Sequence, residues 1–183
     1  MPGPPHPEID RDATRAMHSV EGRVIIVTGS GQRVGRGMAN HLAKAGATVV
    51  VAEWNAEKMR RTCDELTAIG APNLGIEIDI SRRDQIDHMV EQVMAALGRV
   101  DGRTAAREWA ADGIVVNTIA PAAAPPRAIG SEHYEEFMRT CPTGRNGDPE
   151  LDIGPIAHFL CSDACRYLTG HTFMVDGGNF LWS

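Results

Sequence analysis

A glycine-rich turn set between two short apolar runs constrains this chain more than any other feature. From Arg23 to Glu53 the order is R-V-I-I-V-T-G-S-G-Q-R-V-G-R-G-M-A-N-H-L-A-K-A-G-A-T-V-V-V-A-E. Val24 to Val27 reads as a buried strand that runs into the turn. The turn opens an amphipathic segment with Met38, Ala39, Leu42 and Ala43 on one helical face, stopped by Gly46. A second apolar run, Val49 to Ala52, ends on the acid Glu53. Strand, turn, helix, strand and terminal acid, in that order, are the parts of a dinucleotide-binding unit.

Each part has a physical reason. Gly29, Gly31 and Gly35 let the backbone turn sharply and approach a ligand closely. The turn's N–H groups and the start of the next helix present partial positive charge to a pyrophosphate. Glu53 stands where a carboxylate accepts hydrogen bonds from both ribose hydroxyls and repels a 2′-phosphate, which favours NAD over NADP. Arg33 and Arg36 argue the other way, as cations in or just after the turn within reach of a 2′-phosphate.

The turn T-G-S-G-Q-R-V-G resembles the T-G-x-x-x-G-x-G of the short-chain dehydrogenase/reductase family, whose members carry hydride between a nicotinamide and an alcohol or ketone. Arg33 replaces the family's usual middle glycine, as it does in pteridine-reductase-like members. The resemblance implies that Gly29, Gln32, Arg33, Val34 and Gly35 hold the pyrophosphate and Glu53 the adenosine ribose. It also implies that Asp79 with Ile80 contacts the adenine, although Asp79 reads equally well as a residue beside a helix cap. Ala120-Pro121 matches the family's Pro-Gly approach to the nicotinamide, with Ala122 in place of the glycine.

Further along, Asn55 to Ile69 reads as a helix capped by Asn55, with Cys63 in its apolar stripe as a core thiol. Leu74 to Ile78 reads as a third strand. Ser81-x-x-Asp84 has the form of a capping box before an amphipathic helix that Gly98 stops. Ile114 to Ile119 reads as a strand, Ser131 to Arg139 as a short helix in the family's lid region, and G-R-N-G-D-P to V-D-G-G as the family's last helix and strand. Pro155 is tolerated in the first turn of that helix.

The resemblance breaks between Asp101 and Arg103, where the family has about two βα units of roughly 30 residues each. The loss takes with it the family's catalytic serine and its Tyr-x-x-x-Lys. The only lysines are Lys44 and Lys58, and the residues four after Tyr134 and Tyr167 are Met138 and His171. Asn117 lies on a different strand from the family's catalytic asparagine. No catalytic residue is therefore assigned. His158, Cys161 and Cys165 share a helical face but read as core filler rather than metal ligands, and no metal is expected.

The expected fold is α/β, a Rossmann-like doubly wound parallel sheet of about five strands in the order 3-2-1-4-5. Residues 1–21, with four prolines in the first seven, read as a disordered or loosely docked extension, and 22–183 as one dinucleotide-binding domain. The shortened sheet implies exposed apolar surface and hence homo-oligomerisation or aggregation. The net charge of −6 offers no broad basic surface for nucleic acid. No apolar run approaches the roughly eighteen residues that span a bilayer, and four cysteines without framework spacing suit a cytoplasmic setting.

The chain thus reads as an NAD(P)-binding protein of oxidoreductase lineage, inactive as written. The alternatives are an active NAD-dependent oxidoreductase acting on a small alcohol or ketone, if the native chain is longer or a partner supplies the missing groups, and a truncated product without function.

Overall fold

The computed structural model describes residues 11–98, 117–123 and 128–179. The junction at Asp101–Arg103 and the start of the Ile114 run lie outside them. The elements in order are α1 (Arg11–Met17), β1 (Val24–Thr28), α2 (Arg33–Lys44), β2 (Thr48–Glu53), α3 (Ala56–Ala68), β3 (Asn73–Glu77) and α4 (Arg83–Leu97), followed by β4 (Asn117–Pro121), α5 (Glu132–Thr140), α6 (Gly154–Cys161) and β5 (His171–Val175). A π-helical turn, Pro149–Ile153, leads into α6.

β2 is the central strand of the first sheet, pairing in parallel with β1 (Val27 opposite Val51) and with β3 (Val51 opposite Gly75). Its apolar run is continuous because both faces are covered. Val49 and Val51 point into one core with Leu42 of α2, Leu66 of α3 and Ala157 of α6. Val50 and Ala52 point into the other, with Met89 and Val93 of α4. Val49, Val50 and Val51 are each 0% exposed, worth about 1.5–3 kcal/mol apiece by burial. The alternation of faces along one strand makes the domain doubly wound.

Every described strand pair is parallel, and the order 3-2-1 and the pair 4-5 stand as expected. They form two sheets rather than one: β1-β2-β3 and β4-β5, with no ladder between β1 and β4 among the described residues. A Cβ on Gly37 of α2 would stand 2.5 Å from the Cβ of Pro149, and one on Gly154 of α6 would stand 2.5 Å from the Cβ of His41. These contacts seat α6 and its π-helical lead-in on α2. Ile119 of β4 and Cys161 of α6 still reach the first core, and Arg23 is paired with Asp163 at 2.6 Å.

Other expectations hold in detail. Asn55 caps α3 by accepting from the Lys58 amide, Gly98 ends α4 in the left-handed conformation, and Pro155 lies in the first turn of α6. The capping box at Ser81 does not form. Arg82 is the N-cap and makes no side-chain cap bond, because Ser81 turns back and donates both its hydroxyl and its amide to Asp79 (2.7 and 3.0 Å). In the N-terminal extension, Asp12 to Ser19 are exposed while Val20 is fully buried in the first core.

Candidate functional site

The carboxyl ends of β1, β2 and β3 open into a cleft of about 890 Å³ whose far wall is α4. Open α/β sheets hold their ligands at this end. The cleft brings together four of the residues singled out in the sequence: Gly29, Glu53, Asp79 and Ile80.

The turn is built by backbone contacts. Gly29 has φ +66° and donates its N–H to Ala52 O at 2.8 Å, which holds the turn to the end of β2. A Cβ on Gly35 would lie 2.3 Å from Gly29 O, so only glycine lets the first turn of α2 sit against the strand end. Arg33 also takes a positive φ, 49°, a conformation that costs a residue other than glycine about 1–2 kcal/mol. Gln32 is the N-cap of α2 and forms no side-chain cap bond, and the first turn carries no acidic residue. The positive end of α2 is thus left for an external anion, which suits a pyrophosphate. Gln32 and Val34 belong to this turn and helix start but do not line the cleft; Arg33 is exposed.

Glu53 is 3% exposed. Its carboxylate accepts from the Gly31 amide at 3.0 Å and from the Asn55 amide at 3.3 Å. The acid therefore ties the glycine-rich turn to the start of α3 while lining the cleft. Asp79 is exposed at the rim, and the hydrogen bonds from Ser81 hold its carboxyl below the usual range. Its amide donates to Gln85 Oε1 at 2.8 Å, which joins the end of β3 to the α4 wall. Trp54 and Ile80 flank this rim with 68% and 55% of their surface exposed.

The two arginines weighed against NAD separate. Arg36 is held by Glu65 in a two-pronged pair at 2.6 and 2.7 Å and does not line the cleft. Arg33 carries no such pair to Glu65. Arg61, which no sequence motif singles out, donates to Gly31 O at 3.3 Å. Its signal is spacing: Lys58, Arg61 and Glu65 fall on the face of α3 that meets the turn.

The remaining candidates lie elsewhere. Pro121 ends β4 opposite Val175, and neither it nor any residue of α5 lines the cleft. Asn117 holds Leu168 O at 2.8 Å and the His171 amide at 3.2 Å, a structural tie at the start of the second sheet. Tyr167 is 98% exposed. Burial pushes the Cys161 thiol up to about 12 and also raises Cys63, as befits core thiols. Among the described residues no helix is long and apolar enough to cross a membrane.

The short chain dehydrogenase model matches residues 23–102, and the enoyl-(acyl carrier protein) reductase model matches 102–179. The (2S)-[(R)-hydroxy(phenyl)methyl]succinyl-CoA dehydrogenase subunit BbsD of Thauera aromatica is 40% identical over 82 residues, 45% of this chain and 33% of that protein. The short chain dehydrogenase/reductase astE of Aspergillus oryzae is 36% identical over 123 residues, 66% of this chain and 42% of that protein. The chain thus spans between a third and a half of the length of these two curated relatives. A 12α-hydroxysteroid dehydrogenase of a Clostridium species is 24% identical over an alignment of 250 positions, more than this chain has residues, covering 86% of this chain and 96% of that protein. The solved structure of a 7α-hydroxysteroid dehydrogenase complexed with NADH and 7-oxo glycochenodeoxycholic acid superposes with a TM-score of 0.76 at 22% identity, over 90% of this chain and 96% of that one.

Proposed function

The chain belongs to the short-chain dehydrogenase/reductase family, and within that family we propose that it binds NAD(H) in preference to NADP(H) and does not itself transfer hydride. The observation that carries the reading is the cleft in which Gly29, Glu53, Asp79 and Ile80 meet beside the uncapped start of α2. When bound, the nicotinamide supplies the hydride acceptor or donor of the family's chemistry.

The chain's own residues divide the binding among them. The turn from Gly29 to Gly35 meets the pyrophosphate with backbone, Gln32, Arg33 and Val34 included. Glu53 meets the adenosine ribose. A carboxylate has about four acceptor positions, so two amide bonds leave room for ribose hydroxyls. Its buried charge, with no lysine or arginine among the described cleft residues and Arg36 committed to Glu65, disfavours a 2′-phosphate. Asp79 and Ile80 meet the adenine, and Pro121 approaches the nicotinamide side.

Proton transfer has no equivalent support. Hydride transfer to a ketone leaves an alkoxide that must be protonated nearby. The chain has no Tyr-x-x-x-Lys, and Lys44 is paired with Glu150. The two family models meet at Gly102, where the missing catalytic units would stand.

Titration with NADH, read by energy transfer from exposed Trp54, tests the binding claim, with Trp54→Phe identifying the signal. Saturation is expected, and no saturable change up to millimolar NADH would remove the reading. Steady ketone reduction by the 183-residue chain would refute the claim that it is inactive. The intact mass from native cells separates the alternatives. A value near 19.8 kDa leaves the non-catalytic reading in place, and one greater by about 7 kDa, two βα units, points to an ordinary active dehydrogenase.

A further inference from the structure

Every described residue that lines the cleft comes from the end of β1, the end of β2 with Trp54, the end of β3 with the loop after it, or α4. β4, α5 and β5 contribute none. Among the described residues the cleft is thus walled by the first sheet and α4 alone.

Trp54 and Ile80 line the cleft with most of their surface exposed, apolar surface of a kind that covers a flat base. Behind them, Gln85, His88 and Gln92 lie on one face of α4 along the wall, with Gln92 bonded to His88 at 2.9 Å. Four carboxylates, Glu53, Glu77, Asp79 and Asp84, also line the cleft. Anionic charge on a ligand is thus confined to the turn and the uncapped end of α2, and the cleft proper takes a neutral ribose and base.

We infer that the site recognises the adenosine diphosphate portion of its ligand and is indifferent to the group carried beyond the second phosphate, so that ADP-ribose, NAD⁺ and NADH are equivalent ligands. The inference rests on the dinucleotide-binding reading above and narrows it to a ligand class. Such a protein responds to the total pool of ADP-ribose-bearing nucleotides rather than to the redox state of the nicotinamide.

Calorimetric titration of the full chain with ADP-ribose, NAD⁺ and NADH in parallel decides the matter. The expected result is three dissociation constants within about threefold of one another. In the same experiment Asp79→Ala weakens all three together. NADH or NAD⁺ binding more than about threefold tighter than ADP-ribose overturns the inference and leaves the dinucleotide reading standing. Failure of all three to bind at millimolar concentration removes both.

Discussion

The Glu53 carboxylate accepts the Gly31 amide at 3.0 Å across 22 residues of chain, so the acid at the end of β2 and the turn at the end of β1 are one unit. The second oxygen accepts the Asn55 amide, which adds the start of α3. An unsatisfied buried amide costs about 1–3 kcal/mol. Glu53→Ala strands both donors, while Glu53→Gln keeps one carbonyl oxygen for one of them. Thermal stability should fall in the order wild type, Glu53→Gln, Glu53→Ala, and NADH affinity should fall in the same order. Equal melting temperatures for wild type and Glu53→Ala would show that the latch carries no energy.

Gly35→Ala tests the contact under the turn. Alanine favours a helix over glycine by about 1 kcal/mol, but the new Cβ would lie 2.3 Å from Gly29 O and 3.0 Å from Ser30 Cα. Those are backbone atoms that cannot step aside, and overpacking of this kind costs about 1–3 kcal/mol. The variant should be less stable than wild type and should lose NADH affinity because Gly29 moves. Gly98→Ala is the control. Its Cβ meets open space at φ +72°, so it should lose stability through backbone strain alone and keep its affinity.

Arg36 should prove irrelevant to cofactor choice. Its guanidinium is held by both oxygens of Glu65, and the pair is partly exposed, with side chains 39% and 31% accessible. Pairs of this kind contribute about 0.2–1 kcal/mol. Arg36→Ala should therefore lower stability by no more than that and leave the ratio of NADH to NADPH affinity unchanged. A ratio that shifts further toward NADH in the variant would show that Arg36 leaves Glu65 to meet a 2′-phosphate.

How much of the fold is legible in the sequence depends on the range of the forces involved. Val49 to Val51 announce a central strand because burial on both faces demands an unbroken apolar run, and Asn55 announces a cap because its partner, Lys58, is three residues away. Local competition defeats the pattern at Ser81, where Asp79 takes the hydroxyl that a capping box needs. Longer-range pairings leave no local mark: Arg36 and Glu65 lie 29 residues apart, and Val20 is buried at the end of a polar stretch. The seating of α6 and its lead-in on α2 turns on Gly37 against Pro149 and Gly154 against His41. No periodicity in the chain encodes those approaches, and the expectation of one continuous sheet rests on strand order alone.

The joint between α2 and α6 should make stability depend on pH. His41 of α2 and His158 of α6 place their ring centroids 5.7 Å apart, edge to face, and His158 Nε2 meets His18 O at 2.7 Å. Burial and the neighbouring His158 lower the pKa of His41 from 6.5; Lys44 on the same helix lowers it further, and Glu150 from the π-helical turn opposes the shift. The unfolded chain then takes up the proton before the folded one does. Unfolding free energy falls wherever the unfolded state binds more protons as pH drops, so the contribution of His41 is complete above 6.5 and is lost progressively as pH falls below it toward the lowered folded value. Urea midpoints measured between about pH 5 and 8 should decline on the acid side for wild type. His41→Gln, which keeps the size and polarity of the joint without a titrating ring, should flatten that part of the decline. An acid limb identical in the two proteins would show that the joint does not respond to protonation of His41.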